Sequence, residues 1–362
     1  MVNNYKRIDY IDAAKAFGMM TVMWGHIHFN DISNDFVYAF HIPLFFVLSG
    51  MVFFPDKYGG FKNFVVSKVR SLLVPYAIYS VITWVIWAAF VIVTHQQVDS
   101  IWAPLFETVI SRGSEGYMVH NGPLWFVTCL FVTELGYYWI SRLPDWLNVM
   151  VAIVLAIIGY FLVTYAHFFD FTTLPWSIEV GMMAMVFFAT GHLVAKRIGH
   201  AKIESAINNN ICLYTIIALL LFIGVYLVAF FNGNPSMGHA RLNNPILFYP
   251  GAYMGSTAMI ILCVVFTNRL AVGKLLLVRR GVLWFGSNSF IAMAIHMPIK
   301  GFLIEIAAKM LNTTTYVVKT SVPLGIVVWL ITLAITATLM VFIVRFKERL
   351  YSQNLNKNRV SQ

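Results

Sequence analysis

Two residues of the first apolar run, Lys15 and His26, stand eleven positions apart. At about 100° per residue this spacing returns to within roughly 20° of the starting face, so both lie on one helical stripe, about 16 Å apart along the axis. The pair has chemical use. An imidazole titrates near neutrality, so it can take a proton from a weak nucleophile or accept a group itself. An ammonium attracts anions. Asp12 shares the stripe three residues before Lys15, where an ion pair is geometrically accessible. A plainer reading stands beside this one: Asp12 and Lys15 neutralise each other or reach the interface, and His26 sits among headgroups.

Other ionisable residues fall inside apolar runs, where each costs a few kcal/mol to insert and usually faces a cavity or a partner. His41 opens the segment Phe40-His41-Ile42-Pro43-Leu44-Phe45-Phe46-Val47-Leu48-Ser49-Gly50. There Pro43 frees a backbone carbonyl and Ser49-Gly50 permits close helix approach. Packing is the default role for that proline and glycine. Glu134 follows Asn121-Gly122-Pro123-Leu124-Trp125-Phe126 in an apolar setting that calls for a nearby cation. His296 lies in the run from Ser289 to Pro298. Either is equally read as a hydrogen-bonded tie between helices. Glu179 and His192 are taken as structural. Cys129, Cys212 and Cys263 lie singly in apolar runs and read as small buried hydrophobes.

The elements that must position these groups follow from composition. Of 362 residues, 59% are hydrophobic and 11% charged, with mean hydropathy +0.75. Soluble domains carry roughly 25% charged residues, and the depletion runs along the whole chain, which excludes a soluble enzyme with a membrane tail. An all-α polytopic bundle is expected. Runs of about 20 apolar residues place about ten spans near 11–28, 36–54, 71–94, 122–140, 147–165, 174–195, 211–231, 246–267, 282–299 and 322–344. The ninth is the least defined, because Lys300, Glu305 and Lys309 follow it and 301–311 either continues the helix or lies at the interface. The first run lacks a small-residue cleavage site and reads as a retained span.

The net charge of +10 sits between apolar runs, which points to membrane topology rather than nucleic acid. With the N-terminus inside, alternate connections hold 19 Lys and Arg on the cytoplasmic side against 5 outside, namely Arg112, Arg241, Lys300, Lys309 and Lys319. Both ends are therefore expected in the cytoplasm. Residues 1–346 read as one transmembrane domain and 347–362 as a short basic tail.

The residues in this order resemble the acyltransferase-3 family of membrane acyltransferases. The resemblance rests on Lys15-x10-His26, on Phe40 to Gly50, on Lys68-x-Arg70-Ser71-Leu72-Leu73-Val74-Pro75-Tyr76, on Pro123-Leu124-Trp125-Phe126, and on Ser289-Phe290 to His296. It covers effectively the whole chain, and the Lys68–Tyr76 stretch is most similar to the fucose 4-O-acetylase-like branch. It implies transfer of an acyl group, usually acetyl, from cytoplasmic acyl-CoA to a hydroxyl of a carbohydrate or lipid-linked glycan at the envelope. That places the protein in a bacterial inner membrane, with acetyl-CoA as donor substrate and no metal. Two departures stand out. The first-span cation is often Arg in the family, and Lys15 lacks a planar bidentate grip on phosphate. Eighteen residues follow Val344, so the extracytoplasmic hydrolase-like domain of some members is not expected.

On this reading His26 is the base or acyl relay, with Glu134 and His296 as further catalytic candidates. Lys15, His41, Lys68 and Arg70 are the candidates for holding acyl-CoA, the last two also reading as topology signals. The outer connection from His95 to His120 is the longest and is placed to cover the acceptor. Two other classes fit part of the pattern. A secondary transporter would use Asp12, Glu134 and His296 as a proton relay, although no repeated halves are evident; a non-catalytic scaffold or flippase-like partner would need none of them.

Overall fold

The computed structural model describes residues 7–27, 30–113, 116–165, 174–270 and 275–360. Sixteen α-helices follow one another among them: α1 (Asp9–Ile27), α2 (Asp31–Tyr38), α3 (His41–Met51), α4 (Phe61–Lys68), α5 (Val74–Thr94), α6 (Ala103–Ile110), α7 (Trp125–Ile140) and α8 (Asp145–Tyr165), then α9 (Ile178–Arg197), α10 (His200–Asn209), α11 (Ile211–Asn232), α12 (Pro245–Arg269), α13 (Leu275–Ser287), α14 (Ser289–Met310), α15 (Thr315–Thr320) and α16 (Val322–Val360). No strand occurs among the described residues beyond a single bridge between Ser236 and Arg241.

Among the described residues eight stretches are long and apolar enough to cross a bilayer: Asp31–Met51, Phe61–Thr94, α8, Pro175–Arg197, α11, α12, α14 and Val322–Leu350. The other two expected spans correspond to α1, whose 19 residues carry Asp9, Asp12 and Lys15, and to α7, only 16 residues long. The ninth differs from its expected limits. The chain breaks at Asn288, and α14 then runs through Lys300 to Met310. Lys300, counted with the outer loops, therefore lies within a helix. The expected tail continues α16 as helix to Val360, while Lys6 and Lys274 of the charge count lie outside the described residues.

Burial ranks the helices. Twelve of the nineteen α1 residues are buried, whereas α11 buries four of twenty-two and presents Leu219, Leu220 and Ile223 outward. Packed against α3, α12, α13, α14 and α16, α1 is the central post of the bundle although its first turns carry Asp9, Asp12 and Lys15. Small residues let its neighbours close in. A Cβ on Gly286 of α13 would fall 1.7 Å from the Asp12 carbonyl oxygen. Gly50 of α3 and Gly191 of α9 show the same reciprocally, with added Cβ atoms 2.1 Å from Phe188 O and 2.0 Å from Val47 O. Any side chain at these crossings would push the helices apart.

Ion pairs gather the basic segments at one end of the bundle. Arg142 meets Asp56 at 3.4 Å, Lys196 meets Asp145 at 2.9 Å, and Arg197 also reaches Asp145. Arg279 of α13 pairs with Asp9, and His200 of α10 ties to Tyr10 at 2.6 Å and to the Met51 carbonyl at 3.2 Å. At the far end, connections interlock through backbone. Gly113 N–H donates to Ser177 Oγ at 3.2 Å, Trp176 Nε1 donates to Val109 O at 2.9 Å, and a Cβ on Gly113 would fall 2.1 Å from Gly238 O.

Candidate active site

The stripe read from the sequence is intact. α1 is continuous from Asp9 to Ile27, with His26 in its last turn and Lys15 eleven residues back toward the basic end. Between them Met19 and Val22 are buried in a cluster with Tyr76 and Tyr79 of α5, Ile291 and Ala294 of α14, and Met340 of α16. The interior face of the post thus runs from an ammonium to an imidazole. Lys15 Nζ lies 3.9 Å from Asp12 Oδ1.

At the far end of that face His26 meets His296 of α14, the ring centroids 5.4 Å apart and the planes inclined at 39°. His296 is fully buried. Its Nδ1 lies 3.1 Å from Ala292 O and 2.9 Å from Met293 O. Two carbonyl oxygens require a donor, so Nδ1 carries the hydrogen and Nε2 keeps its lone pair. Nε2 has no partner. One turn further along α14, Lys300 Nζ donates to the backbone carbonyl of His26 at 3.1 Å. It therefore holds the C-terminal end of α1, where a cation also suits the helix dipole. His41 and His239 lie within electrostatic reach of the His26 ring, with His296 and Lys300.

His41 belongs to this far-end group rather than to the basic end. Its Nδ1 lies 2.6 Å from Val37 O, and its ring meets Tyr38 edge-on at 4.9 Å. Tyr38 Oη in turn donates to Gly25 O at 3.4 Å, beside His26. A Cβ on Gly25 would fall 2.9 Å from the Tyr38 ring.

Lys68 and Glu134, expected in different roles, are partners: Nζ lies 2.7 Å from Oε1, and Lys68 also sits over the Phe64 ring at 5.7 Å. The other carboxylate oxygen of Glu134 is buried without a partner. Immediately after Lys68 the chain makes a π-helical turn over Val69–Leu73, an irregularity common at functional sites. Glu134 lies nine residues down α7 from Trp125, about 14 Å toward the basic end, and its electrostatic neighbours are Lys68 and Lys57. Arg70 is exposed and lines a shallow cleft of about 450 Å³ with Asn63, Val66, Ser67 and Ser71.

The alternative proton relay falls apart in space. Asp12 is with Lys15, Glu134 is with Lys68, and His296 is with His26, fourteen residues or about 21 Å along α1 from Asp12.

Three residues of the far-end group escaped the sequence. Lys300 stands four residues after His296, a spacing that shares a helical face, but the charge pattern places it in an outer loop. His239 lies in the polar connection before α12, where its Nδ1 is 3.1 Å from Ser236 Oγ and no periodicity marks it. Asn121, fully buried, reaches α14 from the connection before α7.

A partly buried His26 on α1 facing a fully buried His296 on α14, reached along one face of α1 from a cation, is an arrangement suited to moving protons or acyl groups. Neither a curated protein nor a solved structure matches the chain. A family profile described as an acyltransferase domain matches residues 8–345, nearly its whole length. The protein is therefore a membrane acyltransferase and belongs to the acyltransferase-3 family.

Proposed function

We propose that the protein takes an acyl group, acetyl in the first instance, from acyl-CoA at the basic end of the bundle. The recipient is a hydroxyl of a carbohydrate or lipid-linked glycan at the far end. The basic end is then the cytoplasmic side of a bacterial inner membrane, with both termini there, and the protein falls in the fucose 4-O-acetylase-like branch. The observation that carries this reading is the His26–His296 ring pair at one end of the α1 face whose other end holds Lys15.

A sugar hydroxyl is a poor nucleophile at neutral pH. His26 removes its proton as the oxygen attacks the thioester carbonyl; the new C–O bond forms, the C–S bond breaks, and the departing thiolate takes up a proton to leave as free thiol. In the relay version the His26 nitrogen attacks first and passes the acyl group to the hydroxyl in a second step. His296, with Nε2 unpaired, is the neighbouring base that receives or returns the proton. Lys15 and Arg70 meet the phosphates of the nucleotide end as point charge and fork respectively. The 16 Å between Lys15 and His26, at about 1.5 Å per residue, is the distance the thioester arm spans.

The test uses purified protein in lipid nanodiscs with acetyl-CoA and a glycan acceptor, following release of CoA thiol and the mass of the acceptor. Acceptor-dependent thiol release with a matching acetyl mass gain supports the reading. Ion flux without thioester cleavage would sink it in favour of transport.

A further inference from the structure

Pro298 sits inside α14. It has no N–H, so the carbonyl four residues earlier, that of Ala294, loses its i→i−4 donor within the helix. A fully buried carbonyl left this way costs free energy comparable to a lost hydrogen bond and is usually met from outside the helix. Here the donor is a side chain. Asn121 Nδ2 donates to Ala294 O at 2.7 Å, and the same nitrogen lies 3.4 Å from Thr83 Oγ1 of α5.

The amide orientation follows from this contact. An Oδ1 facing a carbonyl oxygen would repel it, so the nitrogen must face Ala294 and Oδ1 must turn away, where it is buried without a partner. The fold accepts an unpaired Oδ1 to supply a donor at this point. Asn121 itself is held by its own backbone: its N–H donates to Met118 O at 2.8 Å, and its carbonyl accepts from Leu124 N–H at 3.3 Å. The turn over Gly122–Leu124 then starts α7.

His296 stands midway between the freed carbonyl and the proline that frees it. A proline in a helix interior weakens the turn before it, and that turn carries the His296 ring that faces His26, with the Lys300 that holds the His26 carbonyl just beyond. We propose that Asn121 is a positioning residue that replaces the hydrogen bond Pro298 removes, and thereby fixes the turn that sets His296 against His26. Its effect on turnover rests on the acyl-transfer reading; its geometry does not.

A double-mutant cycle tests this, because Pro298→Ala returns an N–H that can bond Ala294 O within the helix. Asn121→Ala alone is expected to lower kcat about 10- to 100-fold with donor KM changed less than about 2-fold, as a misplaced catalytic group does, and to lower Tm. In the Pro298→Ala background the same substitution is expected to cost no more than about 3-fold in kcat and to leave Tm nearly unchanged. Equal Tm losses in both backgrounds would overturn the clamp. Wild-type kcat in folded Asn121→Ala would overturn the positioning role. A non-additive Tm cycle in a protein that releases no CoA thiol would support the clamp and overturn the acyl-transfer reading instead.

Discussion

The two ends of the bundle use polar residues in opposite ways. At the basic end each described carboxylate named above has a cation beside it: Asp9 has Arg279, Asp12 has Lys15, Asp56 has Arg142, Asp145 has Lys196 and Arg197, and Glu134 has Lys68. Among the described residues at the far end the groups around α1 include imidazoles, the amides of Asn34 and Asn121 and the Lys300 ammonium held on a backbone carbonyl, and His296 Nε2 and Asn121 Oδ1 keep unused acceptor capacity. Charge in an apolar run is therefore a poor guide to chemistry here. Pairing neutralises it and locks helices together even where, as at Glu134 Oε2, one oxygen stays unpartnered, whereas at the far end the unspent capacity is on a neutral imidazole and an amide, where a substrate hydroxyl can be received.

The largest effect that would break this contrast is expected at the far end. His26→Ala should remove acyl transfer by at least about 10³-fold, the range of a lost general base or nucleophile, while the protein inserts and accumulates normally. Thiol release by purified variant and wild type at matched folded amounts checks it, and ordinary turnover would take His26 out of the mechanism. His296→Ala should cost less, about 10²-fold in kcat, because the neighbouring imidazole handles the proton rather than the bond. An unchanged kcat would leave His296 as a helix tie.

At the basic end the same kind of substitution should act on stability. Lys68→Met strands the buried Glu134 carboxylate and is expected to cost about 3–5 kcal/mol, the usual result of removing one partner of a buried pair. Lys68→Met with Glu134→Leu should recover most of that loss and keep turnover. Thermal unfolding and thiol release on the three proteins decide the matter. A double variant that folds but no longer turns over would return the pair to the catalytic or donor site, and the contrast between the two ends would fail.

How much of this was legible in the sequence depends on the range of the interaction. The α1 stripe was, because an eleven-residue spacing fixes a shared face of one helix whatever surrounds it. Seven of the expected spans were, because apolar length is a local property; the ninth is shifted, and α1 and α7 are not among the described helices long and apolar enough to cross a bilayer. The break at Asn288 was not, since α13 is set by the contact of Gly286 with the Asp12 backbone, 274 residues away in sequence. Nor was the partnership of Lys68 with Glu134, which joins α4 to α7 across 66 residues and gives each a role that its own neighbours do not announce. Pro298 lay between the two cases: the free carbonyl at Ala294 follows from the proline alone, but the donor 173 residues away does not.

The smallest effect separates binding from pairing among the remaining cations. Arg70 is exposed, lines an open cleft and forms no ion pair among the described residues, so its charge is free to meet a phosphate. A single solvent-exposed phosphate contact is worth about 1 kcal/mol, or roughly 5-fold in affinity. Arg70→Ala should accordingly raise donor KM about 3- to 10-fold, leave acceptor KM and kcat alone, and lose most of its effect in about 1 M salt, where the Debye length falls to about 3 Å. Arg70→Lys should recover only part of the loss, because an ammonium keeps the charge but not the two-pronged grip. If donor KM does not move in low salt, Arg70 joins the paired carboxylates and cations as a feature of topology, and the donor's phosphates must be met nearer Lys15, inside the mouth of the bundle rather than on its rim.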